Sequence, residues 1–386
     1  DGRPKIDTAG AQVGPYRTMV EAVAMRTSGL GGDSEVHFVS EGLSGGVTLG
    51  PKRVLPLSLM AHEAPDVVLP ALAKQMRASM LGEFDGMFVR ALGGVDSGGL
   101  NDRDIDVLGR IGHRTQSLEE VLKTRMEALS LRRLVERGLV QVGGLTPSDA
   151  SHALGGLDLW NHEAAIMGLK LFGRRRTGSG DQLAVDPLAM AKIIVDRLTY
   201  QTGQALLSTA FAEEEAAYNG VPTELAQNEL LQRGLARASG LVKLEAGLNV
   251  DVIGLGASAS TYYPAVGKAL HCNVILPEHA GVANAIGAVV GRITMRRTGT
   301  VTSPSEGVFR VHFTQGPKDF LAEDDALKAL ENYLILQAET DVRDSGSGDI
   351  QTRTEYDIRR AWAESSDVFI EATVSVESSG RPRVSD

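Results

Sequence analysis

The spacing of apolar positions changes character several times along the chain, and each change marks an element. Residues 20–26 and 35–39 have strand-like alternation. Between them lies a glycine-rich turn, Thr27-Ser28-Gly29-Leu30-Gly31-Gly32-Asp33-Ser34. A further short strand ends at Val47-Thr48-Leu49-Gly50-Pro51. Helical spacing follows over 64–80, with Val67, Val68, Leu72 and Met76 on one side, and 85–91 fits a strand or a turn of helix.

The segment 101–155 predicts three short helices and a strand. Asn101-Asp102-Arg103-Asp104 is an N-cap pattern for a helix over 105–111, and Ser117-Leu118-Glu119-Glu120 is a capping box for a second. A third helix over 129–137 stops at Gly138, a strand covers 139–142, and Thr146-Pro147-Ser148-Asp149 caps another helix. The arrangement resembles a winged-helix unit, but a small helical packing subdomain is the favoured expectation. Glu127 and Glu136 dilute the charge of Arg132, Arg133 and Arg137 on the third helix.

Helices are predicted over 157–172, from Asp186-Pro187 to about 218, and over 224–235. The break Gly173-Arg174-Arg175-Arg176-Thr177-Gly178-Ser179-Gly180 reads as an exposed basic loop, with a phosphate contact as the alternative. The pattern then turns to α/β. A strand at 250–253 leads into a second glycine turn, Gly254-Leu255-Gly256-Ala257-Ser258, followed by a helix over 261–269, a strand over 272–276 and a helix over 280–297. Beyond these, 308–314 predicts a strand, 320–340 a helix, 344–349 a mobile loop and 367–377 a strand. The expected division is a first lobe over 1–100, a helical insertion over 101–155, a second lobe over 156–300 and an accessory α+β region over 301–386.

With 386 residues, two or three domains are expected. The net charge of −10 argues against a general nucleic-acid binder, which needs a basic surface. Cys272 is the only cysteine, so no intrachain disulfide forms, in keeping with a reducing cytoplasm; its apolar neighbours make it a structural residue. No apolar run approaches the roughly 18 residues of a membrane helix. The chain opens without methionine, which is expected of a segment of a longer protein.

Several chemistries find no motif. There is no Walker loop, no complete dinucleotide fingerprint, no His-Glu-x-x-His, no Cys-x-x-Cys and no Gly-x-Ser-x-Gly elbow. The two glycine turns remain. Backbone N–H groups in such turns approach anions closely, so two of them, far apart in the chain, suggest a nucleotide between two lobes. Gly29, Gly31, Gly32 and Ser34 are the candidate phosphate contacts, and Asp33 the candidate magnesium or manganese ligand through water. Gly254, Gly256, Ala257 and Ser258 are the candidate adenosine contacts. Asp33 and His279 are the candidate catalytic residues, with Asp251 a further candidate base. Two structural turns in glycine-rich sheets are the alternative.

The run from Gly14-Pro15-Tyr16 through Glu35-Val36, Gly144-Leu145-Thr146-Pro147-Ser148-Asp149-Ala150 with Trp160, and Pro277-Glu278-His279-Ala280-Gly281-Val282-Ala283-Asn284-Ala285-Ile286-Gly287-Ala288 together resemble the hydantoinase/oxoprolinase A family. The resemblance implies an actin, sugar-kinase and heat-shock-chaperone type of ATPase fold with ribonuclease H-like lobes. It implies ATP and magnesium, a cyclic amide or ketone substrate activated by phosphorylation, a B-type partner subunit, homo-oligomerisation and a cytoplasmic setting without membrane or nucleic acid. On this resemblance Gly29 to Ser34 match the second phosphate turn and Gly254 to Ser258 the adenosine turn. There are two departures. The family's first phosphate turn, Asp-x-Gly-Gly-Thr, is expected upstream of Asp1, so the chain alone is expected not to turn over ATP. The usual Gly-Gly-x-Gly-Pro reads Gly254-Leu255-Gly256-Ala257-Ser258 here. A regulatory or scaffold member of the same fold and a winged-helix transcriptional regulator are the competing expectations.

Overall fold

A computed structural model describes residues 6–7, 12–13, 16–17, 22–40, 42, 45–93, 98–214, 217–238, 240–363 and 366–382. The chain divides into two compact units, Asp1–Gly281 and Val282–Asp386, both of mixed α/β composition.

In the first unit, β1 (Ser34–Val39) and β2 (Gly46–Arg53) form an antiparallel pair that sets Ser34 opposite Arg53 and Val36 opposite Leu49. A second sheet has the order β3-β6-β4-β5. It contains β3 (Leu55–Pro56), β4 (Phe88–Ala91), β5 (Gln116–Ser117) and β6 (Val140–Gly144), with β3 and β6 parallel and the other pairs antiparallel. Between β3 and β4 run α1 (Leu57–Glu63) and α2 (Pro65–Arg77). Between β4 and β6 run α3 (Asp102–Ile111), α4 (Leu118–Val121) and α5 (Glu127–Glu136). These three helices share a core with that sheet through Val89, Val107, Ile111, Leu118 and Leu134. The expected capping box at Ser117 is not formed: its side chain caps nothing, and α4 is a single turn. Ser117 is instead buried, with its hydroxyl 3.4 Å from Gln75 Nε2.

After β6 come α6 (Pro147–Ala153), α7 (His162–Gly173) and α8 (Pro187–Glu213). Asp186 Oδ1 caps α8 by accepting from the N–H groups of Leu188 and Ala189, both at 2.9 Å. Gln201 ties α8 to β2, accepting from Leu49 N at 2.9 Å and donating to Leu49 O at 3.1 Å. The main core gathers Leu57, Met60, Phe88, Leu169, Met190 and Ile194 with the β1–β2 pair, and Tyr262 packs against it. Then follow α9 (Pro222–Gln227), α10 (Glu229–Leu235), β7 (Val252–Ile253), α11 (Ala259–Leu270) and β8 (Val274–Ile275). The parallel pair β7–β8 sets Val252 opposite Val274.

The second unit begins with α12 (Ala283–Val290) and continues as a five-stranded antiparallel sheet. Its strands are β9 (Ile293–Ser305), β10 (Val308–Phe313), β11 (Gly316–Phe320), β12 (Ser347–Ala363) and β13 (Ser366–Pro382), in the order β11-β10-β9-β13-β12. One face is covered by α13 (Glu323–Asp344), whose Ala326, Leu330, Leu334 and Ala338 recur every four residues and are buried against Val301, Phe369, Ala372, Val374 and Val376.

Three element expectations are corrected. The helix over 280–297 is a short 3-10 turn and α12 only; the chain leaves the helix at Gly291 and is β9 from Ile293. The loop over 344–349 is a tight turn in which Gly346 has φ +81°, and β12 starts at Ser347. Within 20–26, Ala22–Val23 is the strand among the described residues.

Candidate functional site

The first glycine turn is braced from within. Ser34 is fully buried; its hydroxyl accepts from Gly31 N–H at 2.9 Å and donates to Gly29 O at 3.3 Å, while its own N–H bonds Gly31 O at 3.2 Å. Gly29 is required by a close approach: a Cβ there would lie 2.7 Å from Pro51. Gly32 presses on another element. Its carbonyl accepts from Ser148 N–H at 2.9 Å, and a Cβ would lie 2.7 Å from Ser148 Oγ and 3.5 Å from the Tyr262 hydroxyl. The Asp33 carboxylate is paired with Arg53, whose Nε and Nη2 both stand 2.9 Å from Oδ1. Among the described residues the turn's uncommitted N–H donors are those of Thr27, Ser28, Gly29, Gly32 and Asp33.

The second turn is held by β7–β8 pairing. Gly254 N–H bonds Ile275 O at 2.9 Å, and a Cβ at Gly254 would lie 2.7 Å from Leu276. Gly256 takes φ +110°, where an L side chain is strained, and its N–H reaches Ala280 O at 2.8 Å. Ser258 then starts α11 without a side-chain cap.

Both turns open on one cleft of about 750 Å³, a size that suits a small organic ligand. Gly31, Gly32, Asp33, Ala257 and Ser258 line it. Gly29, Ser34, Gly254 and Gly256 do not line it; they shape the turns from behind. His279 is exposed, in the turn before Ala280, and does not line the cleft; nor does Asp251. Trp160, Leu157 and Leu198 supply apolar wall, and Ser28, Thr202 and Thr209 supply hydroxyls. Arg26 and Arg53 carry the positive charges of the lining against the single carboxylate of Asp33. The N-terminal end of α11 adds its partial positive charge, so the cleft favours an anion.

The floor of the cleft is fastened by α6. Thr146 and Asp149 form a reciprocal capping box, and Asp149 is completely buried. Its Oδ1 accepts from Ser58 N–H (2.8 Å) and Ser58 Oγ (2.6 Å), and its Oδ2 from the N–H groups of Leu57 (3.2 Å) and Thr146 (2.9 Å) and from Thr146 Oγ (2.8 Å). Burial pushes this carboxyl above its ordinary range, against the lowering effect of the Ser58 and Thr146 hydrogen bonds. One turn on, Ser151 Oγ donates to the Tyr262 hydroxyl at 3.0 Å. Burial raises the Tyr262 phenol, which keeps it neutral at the cleft wall. His152 is buried beside Trp160, ring centroids 5.5 Å apart, and burial lowers its imidazole.

Ser148, Tyr262 and Arg53 escaped the sequence reading as site residues. The cap Thr146-Pro147-Ser148-Asp149 was visible, and so was Tyr262-Tyr263 one turn past the second glycine turn, but neither has a ligand signature of its own. Among the described residues no group of three or more His, Cys, Asp or Glu is placed to hold a metal, and no helix is long and apolar enough to cross a membrane. No protein-family model, curated protein or solved structure matches this chain.

Proposed function

We propose that the cleft binds a nucleotide, and that the chain belongs to an ATP-dependent enzyme of the hydantoinase/oxoprolinase kind, which activates a cyclic amide or ketone by phosphorylating its carbonyl oxygen. The observation that carries the reading is the meeting of the two glycine turns on one cleft. In it, the Gly32 and Asp33 N–H groups meet phosphate oxygens, with Arg26 and Arg53 balancing their charge. Ala257 and Ser258 let the sugar approach the backbone at the start of α11. Phosphoryl transfer depends chiefly on such positioning and charge stabilisation, and a magnesium ion would supply further charge neutralisation at the phosphates. Asp33 fits a water-mediated contact to that ion once Arg53 turns from it to the phosphates, because magnesium commonly takes one carboxylate alongside substrate oxygens. A B-type partner subunit, a homo-oligomer and a cytoplasmic setting belong to the same reading.

A second reading, a nucleotide-responsive scaffold without turnover, is favoured by one observation: the Gly31 and Ser34 N–H groups are consumed inside the first turn. Calorimetric titration of magnesium-ATP and magnesium-ADP tests what both readings share. A Kd of about 1 mM or tighter is expected, and silence at several millimolar would sink both. Phosphate release in the presence of hydantoin, oxoproline or acetone, by a form that also carries the expected upstream Asp-x-Gly-Gly-Thr turn, then separates the enzyme from the scaffold.

A further inference from the structure

The break after α7 is exposed at Arg176 and over 178–180, as expected, but Arg174 and Arg175 are half-buried. Arg174, Arg175 and Arg176 line a cavity of about 870 Å³, together with Arg125. Phe38, Met80 and Leu81 give it apolar wall, and Glu83 is the carboxylate of the lining. The four guanidinium groups are held in different ways. Arg174 donates to the carbonyl oxygens of Gln75 (3.3 Å), Met76 (3.1 Å) and Ala78 (2.5 Å) at the end of α2. The Arg175 guanidinium carbon lies over the Phe172 ring, 4.0 Å from its centroid. Arg176 donates to Gly180 O at 2.7 Å. Arg125 Nε stands 3.4 Å from Glu83 Oε2, with its side chain almost wholly exposed.

Carbonyl oxygens and an aromatic face orient a guanidinium without cancelling its charge. Among the described residues no carboxylate lies within 4.0 Å of the Arg174, Arg175 or Arg176 guanidinium; Asp85 acts on Arg175 from farther off, and the Arg175 guanidinium, unlike its backbone, makes no hydrogen bond. The pocket therefore sets four guanidinium groups against one carboxylate, on a chain whose net charge is −10. Fixed guanidinium forks match phosphate oxygens in pairs. The cavity has the volume of a small-molecule site, and its walls are partly apolar.

We propose that this pocket is a second anion site, separate from the glycine-turn cleft, for a small phosphorylated organic molecule. Arg175 is its unspent donor, held in place by Phe172. Arg125 and Arg176 flank the phosphate, and Phe38 and Met80 meet the organic part. The site does not depend on a nucleotide in the cleft.

Metal-free inorganic pyrophosphate is the probe, titrated by calorimetry at low ionic strength. The samples are the unaltered protein, Arg125→Glu/Arg176→Glu, Arg175→Lys and Arg53→Ala. The first pair changes exposed ends of side chains, and matching thermal melts verify its fold. The expected result is a binding component in the unaltered protein that keeps its affinity in Arg53→Ala, where only the component belonging to the cleft is weakened. Arg175→Lys is expected to lose about tenfold and the double reversal more than about tenfold, as charge-assisted pairs are removed. Three results would each overturn the proposal: no binding to the unaltered protein at about 5 mM, full affinity in the folded double reversal, or loss of binding in Arg53→Ala, which would assign the anion to the cleft.

Discussion

The Gly32 carbonyl accepts a hydrogen bond from the Ser148 N–H at 2.9 Å, and this contact joins the first glycine turn to the start of α6. The same closeness leaves no room for a side chain. Gly32→Ala puts a methyl group 2.7 Å from Ser148 Oγ, so the turn must shift. We expect a loss of about 1–3 kcal/mol of stability, as for other overpacked sites, together with weaker nucleotide binding. Adding Ser148→Ala removes the atom that clashes, and urea unfolding of the double variant is expected to recover part of the loss. No recovery would mean that the clash is not with Ser148.

Arg53 tests the electrostatics of the cleft. It holds Asp33 and is one of two arginines in the lining. Arg53→Ala is expected to weaken ADP binding about tenfold, the scale of one charge-assisted contact. Arg53→Lys should recover only part, because one ammonium cannot copy the guanidinium fork. Calorimetry reads both, and unchanged affinity in Arg53→Ala would remove this residue from the site.

Asp149 tests what holds the floor. Its carboxylate accepts all five of its hydrogen bonds, so an amide there would turn its NH2 group toward other N–H or O–H groups. Asp149→Asn is expected to cost about 3 kcal/mol, read by denaturant unfolding. A loss well under 1 kcal/mol would show that the hydrogen-bond set re-forms around the amide.

Two titrating groups give stability a defined pH dependence. Burial lowers the His152 imidazole, so the unfolded chain binds a proton that the folded chain refuses. Its contribution to stability is present above the unfolded value of about 6.5 and is lost as pH falls below it. Asp104 works on the acid side. The Arg133 guanidinium holds its carboxyl below the ordinary value, against the opposing effect of burial. That contribution is present above the unfolded value of about 3.9 and is lost as pH falls through the folded one. His152→Leu is expected to flatten the stability curve between pH 5 and 7 (roughly the histidine range). Asp104→Asn is expected to flatten it below about pH 4. Melting temperatures across pH decide each independently.

In the second unit, Gly299 lies on β9 beneath α13, and a Cβ would stand 2.7 Å from Leu330 Cδ1. Gly299→Ala is expected to destabilise that unit by about 1–3 kcal/mol, with nucleotide binding unchanged. Hydrogen exchange resolved by segment would locate the loss in 293–382.

The parts of this structure that were legible in the sequence are those with local causes. The caps at Asn101, Thr146 and Asp186 announce their helices, because the capping hydrogen bond spans three residues or fewer. The glycine turns were legible as turns, yet not all as ligand contacts. Ser34 shows why: its hydroxyl is spent on Gly29 and Gly31, a choice decided by the burial of Ser34 and not by its neighbours in sequence. Arg53 reaches Asp33 only because β1 and β2 pair in register, and Tyr262 reaches Ser151 across 111 residues. β12 was illegible for a different reason. It is an edge strand whose described side chains are mostly exposed, so no buried face imposes an alternation of apolar residues along it. The helix expected over 280–297 failed at Gly291, where small residues gave the same composition to a helix end and to the strand that follows.

The buried carboxylate of Asp149 also bears on when the cleft comes into being. Its bonds to Leu57 and Ser58 close loops of 92 and 91 residues, and the Ser151–Tyr262 bond closes one of 111. Chain entropy must be spent on these closures before the contacts return anything, and contacts of such separation form slowly. The cleft is thus a late product of folding. A growing chain has its first glycine turn long before the second, and it has no cleft between them until residue 262 has been made and brought back to α6.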